Sequence, residues 1–189
     1  AIVQSLVGSE MCIRDSVGEV ANKVTLCLAK AIEADRDFGH QLALRLHERE
    51  ETLVKRAMAD VLTRLFRRLT WDALPLLDDM LQSDDEGVLA AASATVGDVK
   101  YLDKEQWADR LRQLCDHPLP IVRRNLVPNL REYIEFDPSD ARGLFHELWK
   151  DGDEVVRTRL RELLLRMEEV SPEHFAAQVK ALQLSLIHI

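Results

Sequence analysis

The side chains able to do chemistry are few, and their spacing suits little of it. His40, His47, His117, His146 and His174 include no pair four residues apart around a glutamate, so His146-Glu147-Leu148-Trp149 is not a helical zinc motif. With Cys12 set aside, Cys27 and Cys115 lack metal-type spacing and read as buried thiols. The run Asp84-Asp85-Glu86 lacks the alternating oxygen ligands of a calcium loop and reads as a solvated turn. Neither a glycine-rich phosphate loop nor a nucleophile elbow occurs. No catalytic residue, metal site or cofactor is therefore predicted. Of the tryptophans, Trp107 falls on an apolar helical stripe and reads as core, while Trp149 beside a turn is expected to be partly exposed.

What could act is a set of arginines, and the elements that would carry them repeat. Four segments align without a gap, starting at Leu46, Leu81, Leu114 and Leu148, offsets of 35, 33 and 34 residues. In each, a leucine closes one helical pattern and a polar turn follows. Two apolar residues then open the next helix: Leu53-Val54, Val88-Leu89, Ile121-Val122 and Val155-Val156.

Apolar residues recur at helical spacing on both sides of the turns. Val54, Met58, Val61, Leu65 and Leu69 form one stripe; Val122, Leu126, Leu130 and Tyr133 form a second; Val156, Leu160, Leu163, Leu164 and Met167 form a third. The preceding helices carry Phe38, Leu42 and Leu46, then Leu74, Leu77 and Leu81, then Trp107, Leu111 and Leu114, then Leu144, Phe145 and Leu148. Asp137-Pro138 and Ser171-Pro172 read as helix starts, Asp103 with Gln106 as a capping box, and Thr70 as a cap before Trp71. Pro75 and Pro128 are expected to kink a helix or mark an irregular start.

A helix pair repeating at this period cannot bury its stripe alone, so neighbouring pairs must stack. The prediction is an all-α fold, an α-α superhelix of about four helix-turn-helix repeats. In its turns the chain resembles HEAT-repeat, armadillo-type solenoids. The resemblance is carried by Asp116 with Val122-Arg123, by Asp151 and Asp153 with Val156-Arg157, and more weakly by Glu50 and Glu51 with Val54-Lys55. It covers about residues 38–183 and implies that turn acids and the basic residues Lys55, Arg123 and Arg157 support one another across the stack. Asp84 and Asp85 fit the turn position in the second repeat, where Ala90 replaces the basic residue.

Charge is segregated between the two helices of each repeat. Residues 53–69 hold five basic and one acidic residue, 121–133 three and one, and 155–167 four and one, whereas 71–82 hold three Asp and no basic residue. The resemblance places second helices on the concave side and so implies a basic inner face. Arg56, Arg64, Arg124, Arg131, Arg159 and Arg161 are its candidate partner-binding residues, because they lie outside the repeat's structural basic position. The expected function is a non-catalytic scaffold or adaptor binding a macromolecular partner, an acidic protein before nucleic acid. The alternative, a DNA alkylation-repair type glycosylase of HEAT-like fold, would need Trp107 or Trp149 in the concavity beside an Asp or Glu.

The formal charge of −8 disfavours indiscriminate binding to nucleic acid or anionic membrane, and no apolar run reaches membrane-spanning length. Sparse cysteine points to a reducing, cytoplasmic compartment. The ends read differently from the middle. Residues 11–16 can be back-translated as ATG TGT ATA AGA GAC AG, which resembles the mosaic end of a transposon-based sequencing adapter, and Leu184 to Ile189 match its reverse complement. Residues 1–16 and 184–189 are therefore expected to be adapter-derived, and 17–183 to be a fragment of a longer metagenomic protein. Within the first segment, Ser5 to Ser16 shows neither helical nor strand periodicity.

Overall fold

The computed structural model describes the backbone of residues 2–49, 51–170 and 172–181, and the side chains of 18–49, 51–169, 172, 173, 175, 176 and 180. Among the described residues every regular element is helical. The chain divides into two compact units, Ala1–Leu102 and Asp103–Ile189.

The first unit holds α1 (Ile2–Ala34), α2 (Arg36–His47), α3 (Thr52–Leu69), α4 (Ala73–Met80) and α5 (Glu86–Thr95). Thus α2–α3 and α4–α5 are the first two predicted pairs. Helix α3 packs against α1 on one side and α5 on the other, so its buried set, which includes Met58, Val61, Leu62, Leu65, Phe66 and Leu69, spreads wider than one stripe. A hydrogen bond of 2.9 Å between the hydroxyls of Thr63 and Thr95 ties α3 to α5 and satisfies Thr95, which is fully buried.

Helix α1 departs from expectation. It runs unbroken through the Ser16–Val17 junction, although Ser5 to Ser16 carries no apolar period. A helix already nucleated adds one hydrogen bond for each residue it fixes, and the segment holds no proline, so α1 continues there without an apolar period. Helix α2 is also turned from its predicted stripe. Phe38 is 59% exposed, and the buried residues are Gly39 and Ala43. The cause is close approach to α1: a Cβ on Gly39 would stand 2.5 Å from Ile32 Cγ1 and 2.8 Å from the Ile32 Cα and backbone nitrogen. Only a residue without a side chain fits there.

Helix α3 ends at Thr70, whose φ of 57° is unusual for a β-branched residue. Thr70 is therefore the residue that closes α3, and its hydroxyl accepts from Arg36 instead of capping a following helix. Arg36 also donates to Leu69 O and to Asp72, each at 3.1 Å. Pro75 lies in the first turn of α4, where its missing N–H is no loss.

The second unit holds α6 (Lys104–Cys115), α7 (Pro120–Leu126), α8 (Leu130–Phe136), α9 (Pro138–Trp149), α10 (Glu154–Val170) and α11 (Pro172–Ala181). Like packs on like: first helices α6 and α9 are in contact, as are second helices α7 and α10. Asp103 caps α6 by accepting from Glu105 N and Gln106 N, and Asp137 caps α9 by accepting from Ser139 N and Asp140 N. Ser171 lies outside the described residues. Pro128 splits the second helix of its repeat into α7, a 3-10 turn Val127–Asn129, and α8.

The core runs along the predicted stripes. Val122, Val156, Leu160, Leu164, Leu130 and Tyr133 have no exposed surface. Trp107 is 1% exposed and meets the Tyr133 ring edge-on at 5.4 Å. Cys115 is buried, but Cys27 is exposed: on α1 the buried positions are Ala21 and Leu28, and Cys27 falls about 100° around the helix from Leu28.

Candidate functional site

Repeat-to-repeat clamps occupy several of the basic side chains. In the second unit, Arg123 of α7 reaches Asp151 in the following turn through Nε at 2.6 Å and Nη2 at 2.9 Å. Both side chains are largely buried, 15% and 5% exposed. Arg123 Nη1 also donates to Pro118 O at 3.0 Å, so one guanidinium joins its own turn to the next. The bond from Arg123 holds the Asp151 carboxyl below its ordinary range, against the opposing push of burial. Arg157 binds the backbone carbonyl of Asp151 and the carboxylate of Glu154. Asp116 is exposed at the end of α6.

The first unit has the same device in a different register. Arg56, not Lys55, makes the clamp: Nε donates to Asp85 Oδ1 at 3.0 Å and Nη2 to Oδ2 at 2.9 Å. Asp85 simultaneously caps α5 by accepting from Val88 N at 3.0 Å. In the fourth repeat these duties are divided, with Asp151 receiving the arginine and Asp153 capping α10 through Val155 N and Val156 N. Counting three residues from each cap, Val88 is the counterpart of Val156, so the gapless alignment is off by one in the second turn. Lys55 is exposed and borders a polar cleft with His47, Asp79 and Ser83, where His47 Nε2 lies 2.8 Å from Asp79.

Of the other candidate arginines, Arg64 pairs with Asp60 at 2.8 Å and binds Asn22 of α1. Arg161 pairs with Glu154 at 2.9 Å and lies 5.9 Å from the Trp149 ring centre. Arg124 is half-buried on α7.

Arg131 and Arg159 come together. Both line a groove of about 220 Å³ within the second unit, between the α7–α8 break and α10. Its apolar members are Val127, Pro128, Leu163 and Met167; its charged members are Arg131, Arg159, Arg166 and Glu162. On α10, Arg159, Glu162 and Arg166 flank Leu163 and Met167 at steps of three and one, so the groove meets one edge of the core stripe. The proline break positions the other wall, and Asn129 Nδ2 donates to Asn125 O at 3.4 Å across it. Arg159 is loosely paired with Glu162 at 3.5 Å, both about half exposed. Three arginines and one glutamate thus line the groove around an apolar floor. Arg166 was missed from sequence, although its spacing of seven from Arg159 was the available signal.

No group of three or more metal-ligating side chains occurs among the described residues. No described helix is long and apolar enough to cross a membrane. The side chain of His174 lies outside the described residues.

No protein-family model and no curated protein matches the chain. Solved structures do. An engineered protein from the Northeast Structural Genomics Consortium matches with a TM-score of 0.52 at 15% identity, over 86% of this chain and 87% of that one. A designed armadillo repeat protein in complex with the peptide (KR)4 matches with a TM-score of 0.52 at 15% identity, over 92% and 91%. The chain therefore has the fold of a helical repeat solenoid.

Proposed function

We propose that the protein is a non-catalytic repeat scaffold that binds an acidic protein partner through second-helix arginines of its second unit. The observation that carries this reading is the meeting of Arg131, Arg159 and Arg166 around a groove holding one carboxylate, on a chain whose net charge is −8. Arginine offers a planar fork matched to carboxylate, and its weak hydration suits an interface. Arg56, Arg64 and Arg161 leave the surface argument, because acids or amides of the chain already engage them. The designed armadillo protein holds a basic peptide; this groove has the opposite sign and calls for an acidic one. For the glycosylase alternative, Trp107 is sealed against Tyr133 and cannot hold a nucleotide, which leaves that reading resting on the half-buried Trp149 beside Arg161.

The test is titration calorimetry of the full chain with poly-glutamate and with DNA at two salt concentrations, beside a variant carrying Arg131→Glu and Arg159→Glu. Poly-glutamate should bind, weaken with salt, and be lost in the variant while the far-UV spectrum is unchanged. Poly-glutamate binding equal in the variant would sink the assignment. DNA binding with a steep linear log-log salt slope would move it to nucleic acid.

A further inference from the structure

We infer that the groove between the α7–α8 break and α10 receives one large apolar side chain of a linear peptide, flanked by Asp or Glu, and that Glu162 occupies the flanking carboxylate's place until the peptide arrives. This rests on the proposed acidic-partner reading and specifies its ligand.

Size sets the first limit. About 220 Å³ falls below the roughly 300–1,000 Å³ typical of pockets for whole small-molecule ligands. The space suits a side chain. Its floor supplies the matching surface: Leu163 is half-buried, Met167 and Val127 are nearly closed from solvent, and methionine adapts its shape to an insert. With no strand among the described residues, a peptide finds no sheet edge to extend here, so its side chains carry the recognition. An apolar anchor and charged flanks are the means the groove offers.

Charge sets the second limit. Arg131 stands on the α8 wall, and Arg159 and Arg166 on the α10 wall, so carboxylates on either side of the anchor each meet a guanidinium. Glu162 is the single opposing charge, and its 3.5 Å contact with Arg159 is long for a hydrogen bond. An exposed pair of this kind contributes little, so exchanging it for a partner's carboxylate, supported by burial of the anchor, is favourable.

Fluorescence anisotropy of the full chain tests this with a labelled nonapeptide, one leucine between two runs of four glutamates. Companion probes replace that leucine by glycine, or all glutamates by glutamine; a labelled single-stranded DNA 12-mer completes the set. The glycine peptide should bind about tenfold or more weakly than the leucine peptide, reflecting one buried leucine. Glu162→Gln, a surface change that leaves the fold intact, should tighten the leucine peptide about two- to fivefold. Equal affinity for the leucine and glycine peptides, with both still lost in the Arg131→Gln, Arg159→Gln variant, overturns the anchored ligand but leaves the acidic-partner reading standing. Unchanged or weaker binding in Glu162→Gln overturns the placeholder role. Failure of every glutamate peptide overturns both readings, as does tighter binding of DNA than of the leucine peptide.

Discussion

At the scale of single residues, two positions decide more than their types suggest. Gly39 sits where α2 crosses α1, with the Ile32 backbone inside the space a Cβ would take. Alanine is better than glycine in a helix by about 1 kcal/mol, but overpacking against backbone costs about 1–3 kcal/mol. Gly39→Ala should therefore lower stability by up to about 2 kcal/mol in a denaturant titration; a gain would show that the two helices can separate freely. Arg123 is the second such position. Replacing it with methionine leaves the Asp151 carboxylate buried beside an apolar chain, a loss of about 3–5 kcal/mol. The double variant Arg123→Met, Asp151→Leu removes the stranded charge and should recover most of that loss. If it is no more stable than the single variant, the bonds themselves, and not the uncompensated charge, dominate.

At the scale of elements, the helix pairs and most of their buried faces were legible because an apolar stripe at steps of three and four has one packing solution. Val122 and Val156 at the first turns of α7 and α10 follow directly from it. What escaped depends on distances that no spacing encodes. Phe38 looked like core because it is large and apolar, yet the close crossing of α1 and α2 selects the small Gly39 and Ala43. Spacing alone puts Lys55 at the clamp and Arg56 on the surface, because the second turn's one-residue difference is invisible when every turn is polar. The groove was half legible: Arg131 and Arg159 were named from charge, while Arg166 required knowing which α10 stripe meets the proline break. Residues 1–16 make a further element-scale prediction. If they are adapter-derived, deleting them should leave the thermal midpoint within error even though α1 continues through them. A fall of several degrees would assign those residues to the fold.

At the scale of the whole molecule, pH dependence gathers the clamps into one curve. The carboxyls of Asp85 and Asp151 lie below the ordinary 3.8, drawn down by Arg56 and Arg123. Burial pushes the Asp140 carboxyl up, but bonds from Tyr133 and Arg112 outweigh it, and it too lies low. Below pH 3.8 the unfolded chain therefore binds these protons first, so the stability they contribute is present above that pH and lost as pH falls through the folded values. The alkaline side has the opposite cause. Burial lifts the Cys115 thiol from 9.0 to about 12 and raises the Tyr133 hydroxyl above its usual 10.0, so the unfolded chain sheds those protons first and stability falls as pH climbs from 9.0. Denaturation midpoints should be flat between about pH 5 and 8 and fall on both sides. Cys115→Ala should flatten the early alkaline limb, and an unaltered limb would remove the thiol from the account. The offset clamps also bear on how such a chain can be recombined. Arg56 finds its acid at the α5 cap, whereas Arg123 finds its acid two residues before the α10 cap. Transplanting the α9–α10 turn into the α4–α5 position would present Arg56 with an acceptor displaced along the chain. The interchangeable module is thus not a helix pair but the interval from one clamp arginine to its acid, and crossovers that respect this interval are the ones that yield foldable chimeras.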